Sequence, residues 1–327
     1  MTPSRAETIA ETVVIGGAAM PLSDFLSLCI DQSPAVTDDI RDACARFIAA
    51  GQRALATDGC AVGWLQRNIT VPGHAPSPQL YQSVADLIRQ ARERELADLA
   101  FFMHKPPGIR LRLRSPSPDD GALAQLLDAA LGRWLRSGLI DGWLPAVYEP
   151  ETYLFGGALS MQHVHELFSV DALAWLDIHA LDTRAAAPSW AVSLLMLRAF
   201  LTALSIADWE DVDIWERVRR TGRMLPPDIL NLPDSAELFA EIRAAWSQPE
   251  SLYAELSESQ RAVIERYDSA IRLIALRWQQ DYFESHGARI GPRAAAALFV
   301  IFHWNRAALP MTRQALITEA LLTRETI

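Results

Sequence analysis

The chain has 327 residues, of which 40 are acidic and 30 are basic, so its formal net charge is −10. Half of the residues are apolar and 21% are charged, a composition that supplies a packed core and excludes an intrinsically disordered chain. The length allows one large domain or two smaller ones. A net negative charge disfavours a partner that is bound through its phosphates, so we expect no nucleic acid partner, whereas a peptide substrate fits.

The compartment is predicted from the cysteines and the start of the chain. Glu7 and Glu11 precede the first short apolar stretch, whereas a signal peptide begins with positive charge. The most apolar run, residues 190–207, carries Arg198 near its centre, which favours a buried core helix and no membrane partner. The cysteines share no C-x-x-C spacing and are too few for a disulfide framework: Cys29, Cys44 and Cys60. We therefore expect a cytoplasmic protein.

The first half of the chain mixes strand and helix patterns. Strands are predicted over 12–15, 101–104 and 109–114, the last two joined by the Pro106-Pro107-Gly108 turn, with a further extended segment over 146–151. Helices are predicted over 38–56, 80–96 and 120–137, with a loop at 71–79.

The second half of the chain reads as almost wholly helical. Apolar residues recur with helical spacing over 160–177, 190–207, 209–221, 236–246, 258–285, 294–308 and 312–324. We therefore predict an α+β fold, in which antiparallel strands mainly in the N-terminal half pack with a largely helical C-terminal half.

An alternating run of arginines is the sharpest local feature. In Ile109-Arg110-Leu111-Arg112-Leu113-Arg114 the two-residue period of a strand places three guanidiniums on one face and three aliphatic side chains on the other. Three like charges in a row repel each other unless anions share the face, which suggests a site for carboxylates or peptide carbonyls. A solvated face paired with nearby Asp and Glu explains the same pattern.

Two histidines on the helix over 160–177 resemble metal ligands. On a helix, however, His163 and His165 point to different faces, and no second ligand cluster follows at a usable spacing. We therefore predict no metal site.

Two later helices carry polar and aromatic groups. Trp278, Tyr282 and His286 follow each other at four-residue steps, which is the pattern of a proton-transfer surface or of an ordinary contact with the core. His303, Asn305 and Arg306 lie on an otherwise apolar helix. Because buried polar groups need partners, these residues either bind loop carbonyls or line a cavity.

Three motifs in this order resemble the C-terminal domain of lantibiotic dehydratases. They are Phe-Phe-Met-His followed by Pro-Pro-Gly-x-Arg-Leu-Arg-Leu-Arg, Tyr-Glu-Pro-Glu-x-x-x-x-Gly-Gly-x-x-x-Met, and His-Trp-Asn-Arg near the C-terminus. The resemblance covers about residues 60–325, so it implies a single large domain over 1–327 with an N-terminal extension at 1–59. The same domain occurs alone in thiopeptide biosynthesis, as a glutamate-eliminating subunit and as a pyridine synthase.

Two departures from the family pattern separate these branches. The eliminating enzymes have Glu-Arg-Tyr where this chain has Tyr153-Leu154-Phe155, and a histidine at the position of Ile301. The pair Arg112 and Arg114 is retained. The resemblance therefore implies a pyridine synthase, which joins two dehydroalanines of a leader-bearing peptide by a formal [4+2] cycloaddition, then loses water and the leader peptide.

The resemblance implies a partner and a set of site residues. The partner is a precursor peptide with a leader and a dehydrated, azole-bearing core, and other thiopeptide-modifying enzymes are possible partners. No cofactor is expected. The catalytic candidates are Tyr282, His303, Tyr148 and Glu149. The substrate-binding candidates are Arg110, Arg112, Arg114, Trp278, Asp281 and Asn305, with Arg219 and Arg220 as contacts for an acidic leader. A glutamate-elimination subunit and a non-catalytic leader-binding scaffold are the alternatives.

Overall fold

The computed structural model describes residues 12–31, 36–57, 63–117, 120–181, 186–207, 209–226 and 233–323. The chain divides into two compact units, residues 1–60 and 61–327. The single domain over 1–327 stays a prediction.

The first unit is a β-hairpin followed by two helices. Strands β1 (Thr12–Ile15) and β2 (Ala18–Pro21) pair antiparallel, and helices α1 (Leu22–Asp31) and α2 (Asp38–Thr57) follow. Phe25, Cys29 and Cys44 form its buried core. The predictions of β1 and α2 are confirmed, whereas β2 and α1 were not predicted. Cys60 lies outside the described residues.

The second unit is built on a four-stranded antiparallel sheet. Its strands are β3 (Trp64–Thr70), β4 (Leu99–Lys105), β5 (Gly108–Arg114) and β6 (Gly142–Ala146), in the order β4-β5-β3-β6. The predicted hairpin of β4 and β5 is confirmed. The extended segment over 146–151 was misplaced, because the strand is 142–146 and a loop follows it. A Cβ built on Gly108 would lie 2.1 Å from the carbonyl oxygen of Ile69, so only glycine lets β5 approach β3 at this point.

Helices pack on both faces of this sheet and on one another. The helices of this unit are α3 (Pro78–Glu93), α4 (Gly121–Arg136), α5 (Ala158–Ala180), α6 (Ser189–Ala203), α7 (Glu210–Arg220), α8 (Pro233–Ser247), α9 (Pro249–Glu255), α10 (Glu258–Trp278), α11 (Pro292–Arg306) and α12 (Met311–Leu322). A π-helical turn, Gln279–Phe283, continues α10, where the sequence predicted one helix to residue 285. The predicted α+β class is confirmed.

Each face of the sheet packs on a different helix. On one face Arg67 pairs with Asp128 of α4. On the other face Phe101 contacts Phe168 of α5, with ring centroids 5.4 Å apart. Helix α6 is the predicted buried core helix, since nine of its residues are buried. Among the described residues, no helix is both long enough and apolar enough to cross a membrane.

Candidate active site

Polar side chains cover the α5-facing side of the sheet. Arg112 lies opposite Gln66 on β3 and Phe101 on β4, so the three side chains share one face. Arg112 donates from Nε to Gln66 Oε1 at 2.7 Å, and Gln66 Nε2 donates to Asn68 Oδ1 at 2.9 Å. The strand that carries Arg112 is thereby joined to its neighbour by side chains as well as by the backbone.

The Arg112 guanidinium is buried against aromatic rings. It lies 4.3 Å from the ring centre of Tyr148 and 5.1 Å from that of Phe101, within the range of cation–π attraction. Only 6% of Arg112 is exposed, and burial lowers the pKa of its guanidinium. This side chain therefore places a fixed, desolvated positive charge beneath Tyr148.

Tyr148 links a histidine and a carboxylate. Its hydroxyl lies 2.9 Å from Nε2 of His165 and donates to Oε2 of Glu151 across 3.4 Å. Burial, with the nearby charges of Arg114 and Arg112, lowers the pKa of His165 to about 3, so its ring is neutral at pH 7. Both contacts form at once only if His165 Nε2 carries the proton and donates to Tyr148. The three groups then form a hydrogen-bonded chain, in which His165 donates to Tyr148 and Tyr148 donates to Glu151. We call Tyr148, Glu151 and His165 the relay.

The three arginines of β5 have different surroundings. Arg114 is held by two hydrogen bonds to Asp98, one of 3.0 Å from Nε. Arg112 has the partners described above. Arg110 is half-buried, and among the described residues no carboxylate forms an ion pair with it. Of the three guanidiniums, Arg110 is thus the one left to bind a substrate group.

Tyr282 is bound entirely by backbone groups. Its hydroxyl donates to the carbonyl oxygen of Gly156 at 3.1 Å and accepts from the N–H groups of Arg289 and Ile290 at 2.9 and 3.2 Å. Trp278 is fully buried and donates from Nε1 to Ser160 Oγ at 2.9 Å. Both side chains hold the end of α10 against the start of α5. Asp281, from the same segment, lies 3.4 Å from His163 Nε2.

His303 belongs to a fully buried ionic group. Its Nδ1 lies 2.7 Å from Oδ1 of Asp171 and its Nε2 lies 2.9 Å from Ser193 Oγ, while Arg306 donates from Nε to Oδ2 of the same aspartate at 2.5 Å. Ser193, His303 and Asp171 have the order of a hydrolase triad. All three are 0% exposed, so no substrate reaches the serine in this structure.

Asn305 lies at a cavity beside the edge strand β4. Its side-chain amide accepts from the backbone N–H of His104 at 2.8 Å and donates to the carbonyl of the same residue at 3.0 Å, so it pairs with β4 as another strand would. The cavity, of about 680 Å³, is also lined by Met103, Arg223 and Ile301. Of the polar triplet, Asn305 lines this cavity, whereas His303 and Arg306 are buried with Asp171.

The other predicted residues lie apart from the relay. Glu149 is exposed, and Glu151 is the carboxylate that reaches Tyr148. Arg219 donates to the buried Glu319 of α12 at 2.9 Å, and Arg220 pairs with Glu216 one turn away. Both arginines therefore have carboxylate partners within the protein. No group of three His, Cys, Asp or Glu side chains suited to a metal ion occurs among the described residues.

Sequence reasoning missed Glu151, His165 as a hydrogen-bond partner, and Asp171. Glu151 was within the quoted Tyr-Glu-Pro-Glu motif, so the three-residue spacing from Tyr148 was available as a signal. Asp171 gave a weaker signal as an acid with apolar neighbours in a predicted helix.

The second unit is thus an α+β domain, in which a four-stranded antiparallel sheet carries a row of arginines on one strand. Residues 64–325 match the family model described as lantibiotic biosynthesis dehydratase C-term, and the chain belongs to this family. The tRNA dependent lantibiotic dehydratase MibB from Microbispora sp. 107891 has a similar fold, with 21% identity and a TM-score of 0.56. That match covers 80% of this chain and 28% of MibB, so the chain spans less than a third of that enzyme.

A further solved structure, that of TsrL, is similar at 15% identity and a TM-score of 0.44, over 79% of this chain and 93% of TsrL. No curated protein matches the chain.

Proposed function

We propose that the protein is a pyridine synthase that acts on a leader-bearing ribosomal peptide with two dehydroalanines. The observation that carries the proposal is the pair of replacements at positions 154 and 301. An exposed leucine, Leu154, and a cavity-lining isoleucine, Ile301, stand where the eliminating branch of the family has an arginine and a histidine. Neither aliphatic side chain can bind or protonate a departing carboxylate.

The surrounding polar groups suit a reaction that moves protons. One dehydroalanine reacts through the iminol form of its amide, which requires a donor at the carbonyl oxygen and an acceptor at the N–H. Arg110 is the proposed donor, and the relay is the proposed acceptor. Glu151, which is half-buried and accepts a hydrogen bond from the Tyr148 hydroxyl, receives the proton.

The cyclisation then needs the two dehydroalanines to be held together. The alkene, nitrogen and iminol carbon of one dehydroalanine unit supply four ring atoms, and the alkene of the other supplies two. Water then leaves from the iminol carbon, the leader peptide leaves as an amide, and the ring becomes aromatic. These eliminations move protons and break one bond to oxygen and one to nitrogen. They involve no net oxidation or reduction, so no oxidant is needed. Ordering a long flexible peptide is the main entropic cost, which binding to the sheet face offsets.

An assay with two substrates tests the proposal. Purified protein is incubated with an azole-bearing peptide that contains two dehydroalanines, and separately with a peptide that carries a glutamylated serine. A macrocycle and free leader from the first peptide alone support the proposal. Loss of glutamate from the second peptide identifies an elimination subunit, and binding without conversion of either peptide identifies a scaffold. Each of these two results overturns the proposal.

A further inference from the structure

Residues of three helices line a cavity that shares no residue with the relay. Its volume is about 260 Å³, which is below the roughly 300 Å³ of sites for drug-sized ligands, so a small group fits it. The walls come from one face of each helix: Arg89 and Arg92 on α3; Val170, Leu173, Ala174 and Asp177 on α5; Val263, Arg266, Tyr267 and Ala270 on α10. We call it the three-helix cavity.

Positive charge exceeds negative charge in this cavity. Three guanidiniums and one carboxylate line it. Asp177 is shared, because Arg89 pairs with one of its oxygens and Arg266 with the other, the latter at 3.2 Å. Arg89 also lies 3.5 Å from Asp86, outside the cavity. Two arginines are thus held in place by the same aspartate.

Arg92 is the guanidinium without a carboxylate. Among the described residues no ion pair is formed by Arg92, and its Nε is buried without a hydrogen-bond partner. The charge of Asp98 acts on Arg92, but the two oxygens of Asp98 accept hydrogen bonds from Arg114. Because a buried, unpaired donor on a cation costs free energy, an anion in the cavity would satisfy a group that the protein leaves unsatisfied.

The apolar side chains of the cavity favour an anion that carries an aliphatic group. Aliphatic side chains of Val170, Leu173 and Val263 lie beside the arginines. A bare ion leaves this apolar wall in contact with water, whereas a carboxylate on a short aliphatic stem covers it while its oxygens accept from the guanidiniums. We propose that the three-helix cavity binds such a carboxylate, either as a small free dicarboxylic acid or as an acidic side chain of a peptide.

Direct binding measurements test this site without any turnover. Isothermal titration uses succinate, inorganic phosphate, and a capped hexapeptide with one aspartate beside its asparagine counterpart. We expect succinate to bind more tightly than phosphate, and Arg92→Gln to weaken its binding by about tenfold or more, as the loss of a charged hydrogen bond predicts. Arg94→Gln, an exposed position outside the cavity, is the matched control. Preference for the aspartate peptide over succinate assigns the site to a peptide, and the reverse assigns it to a free acid.

Three results would overturn the inference. The first is no binding of succinate by the wild type, and the second is unchanged succinate affinity in Arg92→Gln. The third is phosphate binding as tight as that of succinate, which removes the role of the aliphatic stem. If Arg92→Gln fails to fold, Arg266→Gln replaces it, since this side chain is 63% exposed and tolerates substitution. The measurement is independent of the proposed cyclisation, so either proposal can fail alone.

Discussion

Gly156 and Tyr282 fit together with no room for another carbon atom. A Cβ built on Gly156 would lie 2.0 Å from the Tyr282 hydroxyl oxygen, and Gly156 adopts φ +84°, a conformation that side chains disfavour. The glycine pair before α5 thus includes a position that receives the tyrosine of the π-helical turn.

Gly156→Ala should destabilise the protein more than Tyr282→Phe. The alanine adds a clash and backbone strain, whereas phenylalanine leaves two backbone N–H groups without an acceptor, at a cost of about 1–3 kcal/mol. Denaturant unfolding measures both. Turnover by folded Tyr282→Phe also tests the sequence-based hypothesis that Tyr282 is catalytic: a loss of about 10²-fold in rate at unchanged stability would support catalysis and contradict the structural role.

The buried Asp171 should contribute strongly to stability. Burial alone would raise the pKa of Asp171, but the charges and hydrogen bonds of His303 and Arg306 outweigh burial and lower it. Asp171→Asn leaves Arg306 buried without a counter-charge, so we expect a loss of about 3–5 kcal/mol in the free energy of unfolding. Glu216→Gln, which breaks a surface pair, should cost about 1 kcal/mol or less. Equal effects of the two variants would contradict this account.

The stability of the protein should fall on mild acidification. Burial lowers the pKa values of His165 to about 3 and of His179 to about 4, and it also lowers that of His104. Below pH 6.5 the unfolded state therefore binds protons that the folded state does not, so the free energy of unfolding decreases by about 1.4 kcal/mol per pH unit for each of His165 and His179. His104 adds to the decrease in the same direction. The contribution is fully present above pH 6.5.

Unfolding curves between pH 7 and pH 4.5 measure this slope. His179→Gln should reduce the slope by the contribution of one titrating group, because glutamine does not bind a proton in this pH range. Glutamine can still donate to the carbonyl of Arg306, as His179 Nε2 does at 2.8 Å, so the fold should be kept. The exposed His286→Gln is the control. A slope that His179→Gln does not change would show that this histidine is protonated in the folded state.

The arginines of β5 should separate into binding and stability roles. Arg110→Ala should lower peptide affinity with little change in melting temperature, because no described carboxylate pairs with Arg110. Arg112→Ala removes the donor to Gln66 Oε1 and the cation between two rings, so we expect a loss of about 2–4 kcal/mol in stability. Binding and melting measurements on both variants test this. Weaker binding by Arg112→Ala alone, with no loss of stability, would reverse the assignment.

The sequence predicted the fold class and most helices because their apolar spacing is local. It missed β3, the strand between β5 and β6, since Gln66, Arg67 and Asn68 interrupt its apolar pattern. The partners that make those polar residues acceptable in a sheet, Arg112 and Asp128, lie more than forty residues away. Propensity cannot reveal such a strand without the tertiary pairing.

The candidate site was predictable only in part, because its contacts also join residues that lie far apart in the sequence. Tyr148 and Arg112 were selected on residue type, and the fold brings them together. Glu149 was preferred to Glu151, although only a folded loop decides which acid turns towards Tyr148. His303 was selected as a polar group on an apolar helix, and Asp171, which binds it, is 132 residues earlier in the chain.

The rate of pyridine formation in relay variants tests the central claim most directly. Wild type, Tyr148→Phe, Glu151→Gln and the neighbouring control Glu149→Gln are incubated with the peptide that contains two dehydroalanines, and mass spectrometry follows the macrocycle and the released leader. We predict that wild type and Glu149→Gln release leader and macrocycle together. Tyr148→Phe and Glu151→Gln should bind the peptide normally and turn over about 10²-fold more slowly. Macrocycle formation at the wild-type rate in both relay variants, or none in the wild type, would contradict the account.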